Sequence, residues 1–329
     1  MSEKLRILTI GEILVDFVST TPGRSLTQSP AFDKCAGGAP ANVAVGVARL
    51  GTHSAYIGKV GDDPFGRFLV SEMRSLGVQT AGIRFDREHK TRLAFASLKR
   101  DGDRDFEFWE SQPADEHLEF SDVDQTQLRN ADMLNVGSFL LVHNPSRSTV
   151  MRVVQKAGLL GKEICYDPNL RLSLWKDHKT AKKVMSAMIR RSTIVRMNAE
   201  EARFFTGSQS LERAARQIRT MGPGLVVITL GPRGCYFQNG TSSGRVAGFK
   251  VKALDTIGCG DGFLAGLLHG LALNRKELDR YSGSELRSIC VTANAVGALV
   301  ATKRGGIAAM PSEKELERFL RARKVNTHD

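Results

Sequence analysis

No run of 18 or more apolar residues occurs in this 329-residue chain, which excludes a membrane-spanning helix. The five cysteines, Cys35, Cys165, Cys235, Cys259 and Cys290, are odd in number and far apart, with no C-x-x-C pair. That excludes a disulfide framework and reads as reduced thiols of a reducing compartment. The seven histidines are dispersed and form no H-x-x-x-H pair, which removes a zinc site. The nucleotide-binding pattern G-x-x-x-x-G-K-[ST] is absent. Lys and Arg (47) outnumber Asp and Glu (35), a net charge of +12, yet no basic tail and no basic motif interleaved with aromatics accompanies the excess. A solvated basic surface, not a nucleic-acid partner, is the expectation. The opening MSEKLRILTIGE lacks a signal-peptide layout, so the expectation is a cytoplasmic protein with no membrane partner.

What the chain does have is glycine at chosen places. The stretch Leu254 to Ala265 reads LDTIGCGDGFLA. It places Gly258, Gly260 and Gly262 at alternate positions around Asp261. An apolar, strand-like run over 244–254 leads in, and a helix pattern starting near Gly260 and running on through 263–273 follows. Glycines let a ligand approach the main chain, and a helix N-terminus offers unpaired N–H groups and a positive dipole end. Such a place suits a phosphate. A carboxylate there would repel one, unless its task is to take the proton of a hydroxyl that attacks a phosphoryl group. The competing interpretation is a dinucleotide fingerprint, G-x-G-x-x-A over Gly260, Gly262 and Ala265 with Asp279 as the ribose acid. It disagrees with the late position in the chain, since that motif normally opens the first βαβ unit.

The rest of the sequence alternates strand and helix patterns. Residues 5–11 and 13–18 read as an opening strand interrupted at Gly11-Glu12, with Asp16 beyond. Gly37 and Gly38 make a tight turn, Pro40 suits a first helical turn, and a helix of small residues runs over 42–50 with Asn42 near its start. Residues 91–109 alternate as a β-hairpin turning at Asp101-Gly102. From residue 121 onward βα units repeat, which predicts a mostly parallel sheet covered on both faces. Ligands of such sheets sit beyond the C-terminal strand ends. Asp16, residues 167–171, 198–201 and 229–234, and residues 255–261 all fall there. G-T-S-S-G at 240–244 fits the nucleophile pattern G-x-S-x-G, but lies between two strand-like runs and reads as a hairpin loop.

Two stretches, GGAPANVAVGVARLG (37–51) and DTIGCGDGF (255–263), resemble the two signatures of the ribokinase-like (PfkB) carbohydrate kinases, in the right order and with matching pieces between them. The resemblance covers essentially the whole chain. It implies a three-layer α/β/α fold with a mostly parallel central sheet, a single kinase domain over 1–329, and a small β-sheet lid from about 12–34 and 89–110. Asp261 matches the catalytic base, and Gly258, Cys259 and Gly260 the backbone anion hole. Asp16, Gly37, Gly38 and Asn42 match sugar contacts. Thr229, Gly231 and Gly234 match the nucleotide-binding turn, and Asn294 a position lining the adenine pocket. Asn198 and Glu201 match the N-x-x-E motif, with Glu201 acting on magnesium through water. Asp255, Ile257, Val300, Lys303 and Gly305 match the loops that hold a monovalent cation. The departures are Cys259 in place of the usual alanine and Gly262 in place of another small residue. A thiol near a helix N-terminus can acquire a lowered pKa; an inert buried cysteine is the alternative.

DPNLRLSLW (167–175), with Asn169 and Arg171 near the sugar or the phosphates, is similar to the fructokinase branch. The expected activity is ATP-dependent phosphorylation of D-fructose at its 6-hydroxyl. The alternatives are a 2-keto-3-deoxygluconate kinase, a ribokinase or a nucleoside kinase of the same family. The resemblance implies ATP and Mg²⁺, with K⁺ as a further candidate, a sugar as the other small-molecule partner, and a homodimer through the lid.

Overall fold

The computed structural model describes residues 6–21, 23–98, 104–109 and 112–323. The chain opens with β1 (Arg6–Ile10), β2 (Leu14–Ser19), β3 (Phe32–Gly37), α1 (Ala39–Arg49), β4 (His53–Gly61), α2 (Pro64–Ser75), β5 (Gln79–Asp86), β6 (Leu93–Leu98) and β7 (Arg104–Phe108). Then come α3 (Gln125–Asn130), β8 (Met133–Val136), α4 (Ser146–Leu159), β9 (Glu163–Tyr166), α5 (His178–Ile189), β10 (Ile194–Asn198), α6 (Ala199–Thr206), α7 (Leu211–Arg219) and β11 (Leu225–Thr229). The last third holds β12 (Cys235–Gln238), β13 (Ser243–Val246), α8 (Cys259–Asn274), α9 (Gly283–Ala301) and α10 (Glu313–Ala322).

Among the described residues the strands form two sheets. The larger has nine strands in the order β13-β12-β11-β10-β9-β8-β1-β4-β5. Its neighbours pair in parallel from β11 through β5, and β12 and β13 are added antiparallel. Strand periodicity sends Leu8 and Ile10 to one face, where they join Val150, Val153, Met185 and Ile218 of α4, α5 and α7. Ile7 points to the other face and packs with Val43 of α1 and Leu264 and Leu268 of α8. A sheet buried on both sides between helical layers is the three-layer α/β/α arrangement. Close approach within the α8 layer depends on glycine: a Cβ at Gly266 would lie 2.8 Å from the Ala293 Cα of α9.

The second sheet has four strands, β3-β2-β6-β7, and its core is aromatic. The Phe17 and Phe95 rings stack at 5.1 Å, and Phe65 of α2 meets Phe17 edge-on at 5.8 Å. The expected hairpin turn at Asp101-Gly102 lies outside the described residues.

Two sequence expectations change. The opening stretch is not one interrupted strand: β1 lies in the large sheet and β2 in the small one. The chain turns at Gly11-Glu12, where a Cβ on Gly11 would sit 2.3 Å from Pro40. The strand-like run over 244–254 also stops early, because β13 ends at Val246 and 247–253 has no regular structure. That segment includes Lys250 and Lys252, and among the described residues no strand pairs with it.

Candidate active site

The C-terminal ends of β1, β8, β9 and β10, the strand β2, and the start of α8 surround one cavity of about 620 Å³. Parallel strands bring their ends to one edge, so residues far apart in sequence meet there.

Asp261 occupies the first turn of α8, behind Gly258 in the left-handed conformation (φ 74°). It is 9% exposed. Its Oδ2 accepts a hydrogen bond from Asn42 Nδ2 of α1 at 2.7 Å. Asn42 can reach it because residue 306 is glycine; a Cβ there would lie 2.6 Å from the Asn42 amide oxygen. Burial pushes the Asp261 carboxyl up to about 6. The Asn42 amide opposes this, the charge of Asp167 adds to it, and Arg196 and Arg171 oppose it. A carboxylate tuned close to neutral is suited to taking a proton.

Arg196 is the residue that the sequence reading missed. It lies on β10 between the apolar Val195 and Met197 and is buried. Nη1 donates to Asp167 Oδ2 at 2.8 Å and Nη2 to Thr229 Oγ1 at 3.0 Å. A Cβ on Gly260 would meet Nη2 at 2.6 Å. Glycine at 260 therefore lets a guanidinium lie against the first turn of α8, and the two together make a cationic, N–H-rich seat for an anion. A charged residue inside a strand buried on both faces was the available sequence signal.

Asp16 and Gly38 also line the cavity; Gly37, which does not, lies against Asp16. Asp16 pairs across the small sheet with Cys35, and Gly37 leaves room for its carboxylate, since a Cβ there would be 2.0 Å from Asp16 Oδ2. Gly38 caps α1 at φ 104°, pressed against the Glu12 carbonyl. Asn169 (φ 39°) and Arg171 line the same cavity from the loop after β9. That loop is held from below by Glu201, whose Oε1 accepts from Leu170 N at 2.6 Å. Its Oε2 accepts from Asn198 N at 2.7 Å, while Asn198 Oδ1 takes Glu201 N at 2.8 Å, a capping box at the start of α6. Burial raises the Glu201 pKa. Both of its oxygens are thus already engaged by backbone amides.

Thr229, Gly231, Gly234 and Asn294 do not line the cavity. Thr229, Gly231 and Gly234 continue the strand-end edge past Arg196. Gly231 (φ 59°) and Gly234 (φ 93°) shape the turn after β11, and Asn294 Nδ2 of α9 donates to Ala247 O at 3.3 Å. The 255–257 and 300–305 loops are joined. Asp255 Oδ1 accepts from Ile257 N at 3.0 Å, and Oδ2 from Gly305 N at 3.2 Å. Lys303 turns its ammonium to Glu315 at 2.6 Å, and its N–H goes to Val300 O. Cys259 is half-buried, with Sγ 3.8 Å from the Asp255 carbonyl.

The dinucleotide interpretation fails on placement. Gly260 follows an irregular segment instead of a strand, and Asp279 is taken up by Gly240 N at 3.0 Å beside the β12–β13 turn. That turn contains most of G-T-S-S-G, with Asn239 Oδ1 accepting from Ser242 N at 2.7 Å.

Residues 4–313 match the pfkB family carbohydrate kinase. The chain belongs to the pfkB family of carbohydrate kinases. This carbohydrate kinase is similar to probable fructokinase-7 of Arabidopsis thaliana, 40% identical over 317 residues, covering 95% of this chain and 92% of that protein. Among solved structures it resembles the Xylella fastidiosa fructokinase with bound ATP, with TM-score 0.89 and 28% identity over 97% of this chain and 99% of that one. It also resembles the Vibrio cholerae O395 fructokinase bound to fructose, ADP and calcium ion, with TM-score 0.86, 32% identity, 96% of this chain and 99% of that one. No helix among the described residues is long and apolar enough to cross a membrane.

An ATP–Mg²⁺ complex fits the residues of this kinase in a particular way. Among the described residues no group of three His, Cys, Asp or Glu side chains could hold a metal ion. Asp167, Glu201 and Asp261 already accept hydrogen bonds from protein donors. Magnesium that enters on nucleotide phosphates, with few protein ligands, suits this donor set.

Proposed function

We propose that this kinase transfers the γ-phosphoryl group of ATP to the 6-hydroxyl of D-fructose. The observation that carries the reading is Asp261: a buried carboxylate poised near neutrality, at the mouth of a helix N-terminus, beside an arginine. Relatives over nearly the full length are fructokinases, one with fructose and ADP bound.

Fructose enters the cavity against Asp16, Gly37, Gly38 and Asn42, with Asn169 and Arg171 on the far side. Asn42 keeps one Asp261 oxygen fixed and leaves the other for the acceptor hydroxyl. Asp261 takes the proton of that hydroxyl as its oxygen bonds to phosphorus, and the bond to the ADP oxygen breaks. The N–H groups of Gly258, Cys259 and Gly260 and the guanidinium of Arg196 meet the negative charge on the moving phosphoryl oxygens. Bound magnesium supplies additional charge neutralisation at the phosphates. Asn198, Thr229, Gly231, Gly234 and Asn294 position the nucleotide along the strand-end edge. Glu201 would act on a bound metal through water, and its grip on Leu170 N–H also holds the Asn169–Arg171 loop in place.

The whole chain, 1–329, is proposed to act as one kinase domain, with the small sheet from about 12–34 and 89–110 closing as a lid that excludes water. β3 and β7 are the edge strands of that sheet, so a homodimer through the lid is part of the proposal. Asp255, Ile257, Val300, Lys303 and Gly305 are proposed to shape a K⁺ site, with carbonyl oxygens as ligands. A coupled assay of ADP production over fructose, ribose, 2-keto-3-deoxygluconate and nucleosides, in K⁺ and in Na⁺, tests the reading. Fructose is expected to give the highest kcat/KM, with the phosphate on C6 by ³¹P NMR; a higher kcat/KM for another acceptor overturns the fructose assignment.

A further inference from the structure

Glu12 is a buried carboxyl that the roles assigned so far do not use. It follows β1 at the turn into the small sheet, is 5% exposed, and lines the cavity that holds Asp16, Asn42 and Asp261. Its Oε2 is buried without a hydrogen-bond partner. Other buried carboxylates differ: Asp115 binds Arg92, Asp167 binds Arg196, Glu201 holds two backbone amides, and Asp261 holds Asn42. The nearest cation in the network is committed elsewhere, since Arg92 Nε and Nη2 go to Asp115 and Glu116. A second orphan lies in the same wall: Asn135 of β8, 2% exposed, also lines the cavity, and its Oδ1 has no partner.

Burying polar atoms without partners is costly, and native structures rarely leave them so unless a ligand completes them. The main chain at Glu12 is pinned, because its carbonyl accepts from the Tyr56 hydroxyl at 2.6 Å and presses on Gly38. The side chain therefore extends from a fixed base, near Gly137 at the end of β8. Fixed, desolvated oxygens on a cavity wall match hydroxyl groups, which donate to such acceptors.

We propose that Glu12, seconded by Asn135, is a sugar-recognition residue: its carboxyl group hydrogen-bonds a hydroxyl of the acceptor sugar other than the one phosphorylated. This rests on the reading that the cavity holds the sugar. Glu12 then discriminates between acceptors, because a sugar lacking that hydroxyl leaves the buried group unpaired.

Burial pushes the Glu12 carboxyl up to about 8; its own backbone N–H and Arg92 oppose the shift, and Asp115 and Asp261 add to it. At neutral pH it is then a neutral acid, which can both donate and accept, as a hydroxyl can.

Steady-state kinetics of Glu12→Gln and Glu12→Ala with fructose and with its monodeoxy analogues test the proposal. The fructose KM is expected to rise about tenfold or more in Glu12→Ala, the loss of one good hydrogen bond, with the ATP KM within twofold of wild type. One monodeoxy analogue should cost the wild type the same factor and cost Glu12→Ala nothing further. Glu12→Gln, which keeps the shape, should fall between and serves if the alanine variant does not fold. Fructose KM values within twofold of wild type in both variants, or fructose and ATP KM values rising together, overturn the assignment. A wild-type enzyme inert towards fructose overturns the substrate reading as well; a wild type active on fructose, with both variants indifferent, overturns Glu12 alone.

Discussion

Asn42 and Asp261, 219 positions apart in sequence, meet through a hydrogen bond of 2.7 Å that joins the N-terminal turns of α1 and α8. The two signature stretches of the chain are thus one object in space. The bond fixes one carboxylate oxygen and favours the charged form of Asp261 against the burial that opposes it.

Removing that amide is expected to shift the pH profile. Asp261 works as a base only when ionised, so wild-type kcat/KM should fall as pH drops through about 6. In Asn42→Ala the opposing hydrogen bond is gone, and the acid limb should move to higher pH, with kcat at pH 7 down by about tenfold. A pH–rate profile of both enzymes at saturating ATP checks this; an unmoved limb would separate Asn42 from Asp261.

Arg196 should act on the phosphates more than on the sugar. Its guanidinium lies against Gly260 and is oriented by Asp167 and Thr229. Arg196→Ala is expected to lower kcat/KM for ATP by about 10²-fold or more, the scale for one lost charge-stabilising donor. It also leaves Asp167 buried without its partner, so folding must be verified by thermal melting. Gly260→Ala, which pushes a methyl into Nη2, should reproduce part of the defect. Unchanged ATP kinetics in both would remove Arg196 from the site.

Stability should carry the mark of the two raised carboxyls. Glu12 and Asp261 are held at about 8 and about 6, against ordinary values of 4.5 and 3.8. The folded protein therefore binds protons that the unfolded chain releases between pH 4 and 8. Their contribution is full below the unfolded values and is lost as pH rises through the folded ones. Groups facing Glu12 are Arg92, Asp115 and Asp261. Glu12→Gln has no proton to lose, so its melting temperature should gain on wild type as pH rises from 5 to 8. Parallel melting curves across that range would show that Glu12 is not held protonated by the fold.

Much of the site was legible because its chemistry is local in sequence. Glycines around an acid at the start of an apolar helix announce an anion seat, and a left-handed Gly258 and the approach of Arg196 to Gly260 are the reasons those glycines are there. The alternation of strands and helices gave the layered architecture for the same reason, since periodicity is a property of neighbours along the chain. The misses are all non-local. Arg196 looked like one basic residue among 47, and only pairing across β9, β10 and β11 shows that it faces Gly260. Glu12 stood beside a glycine that seemed to interrupt one strand; the chain instead changes sheets there, which turns the carboxyl into the cavity. The lead into Asp255 looked like strand because its residues are apolar enough, but a strand also needs a neighbour, and among the described residues none pairs past Val246.

The measurement that bears most directly on the central claim is single-turnover phosphorylation of fructose by Asp261→Asn, with ATP affinity determined in parallel. Loss of a positioned general base should slow phosphoryl transfer by roughly 10²–10⁴-fold while nucleotide binding stays near wild type. Transfer at a rate close to wild type would show that the proton leaves by another route, and that Asp261 is not the base.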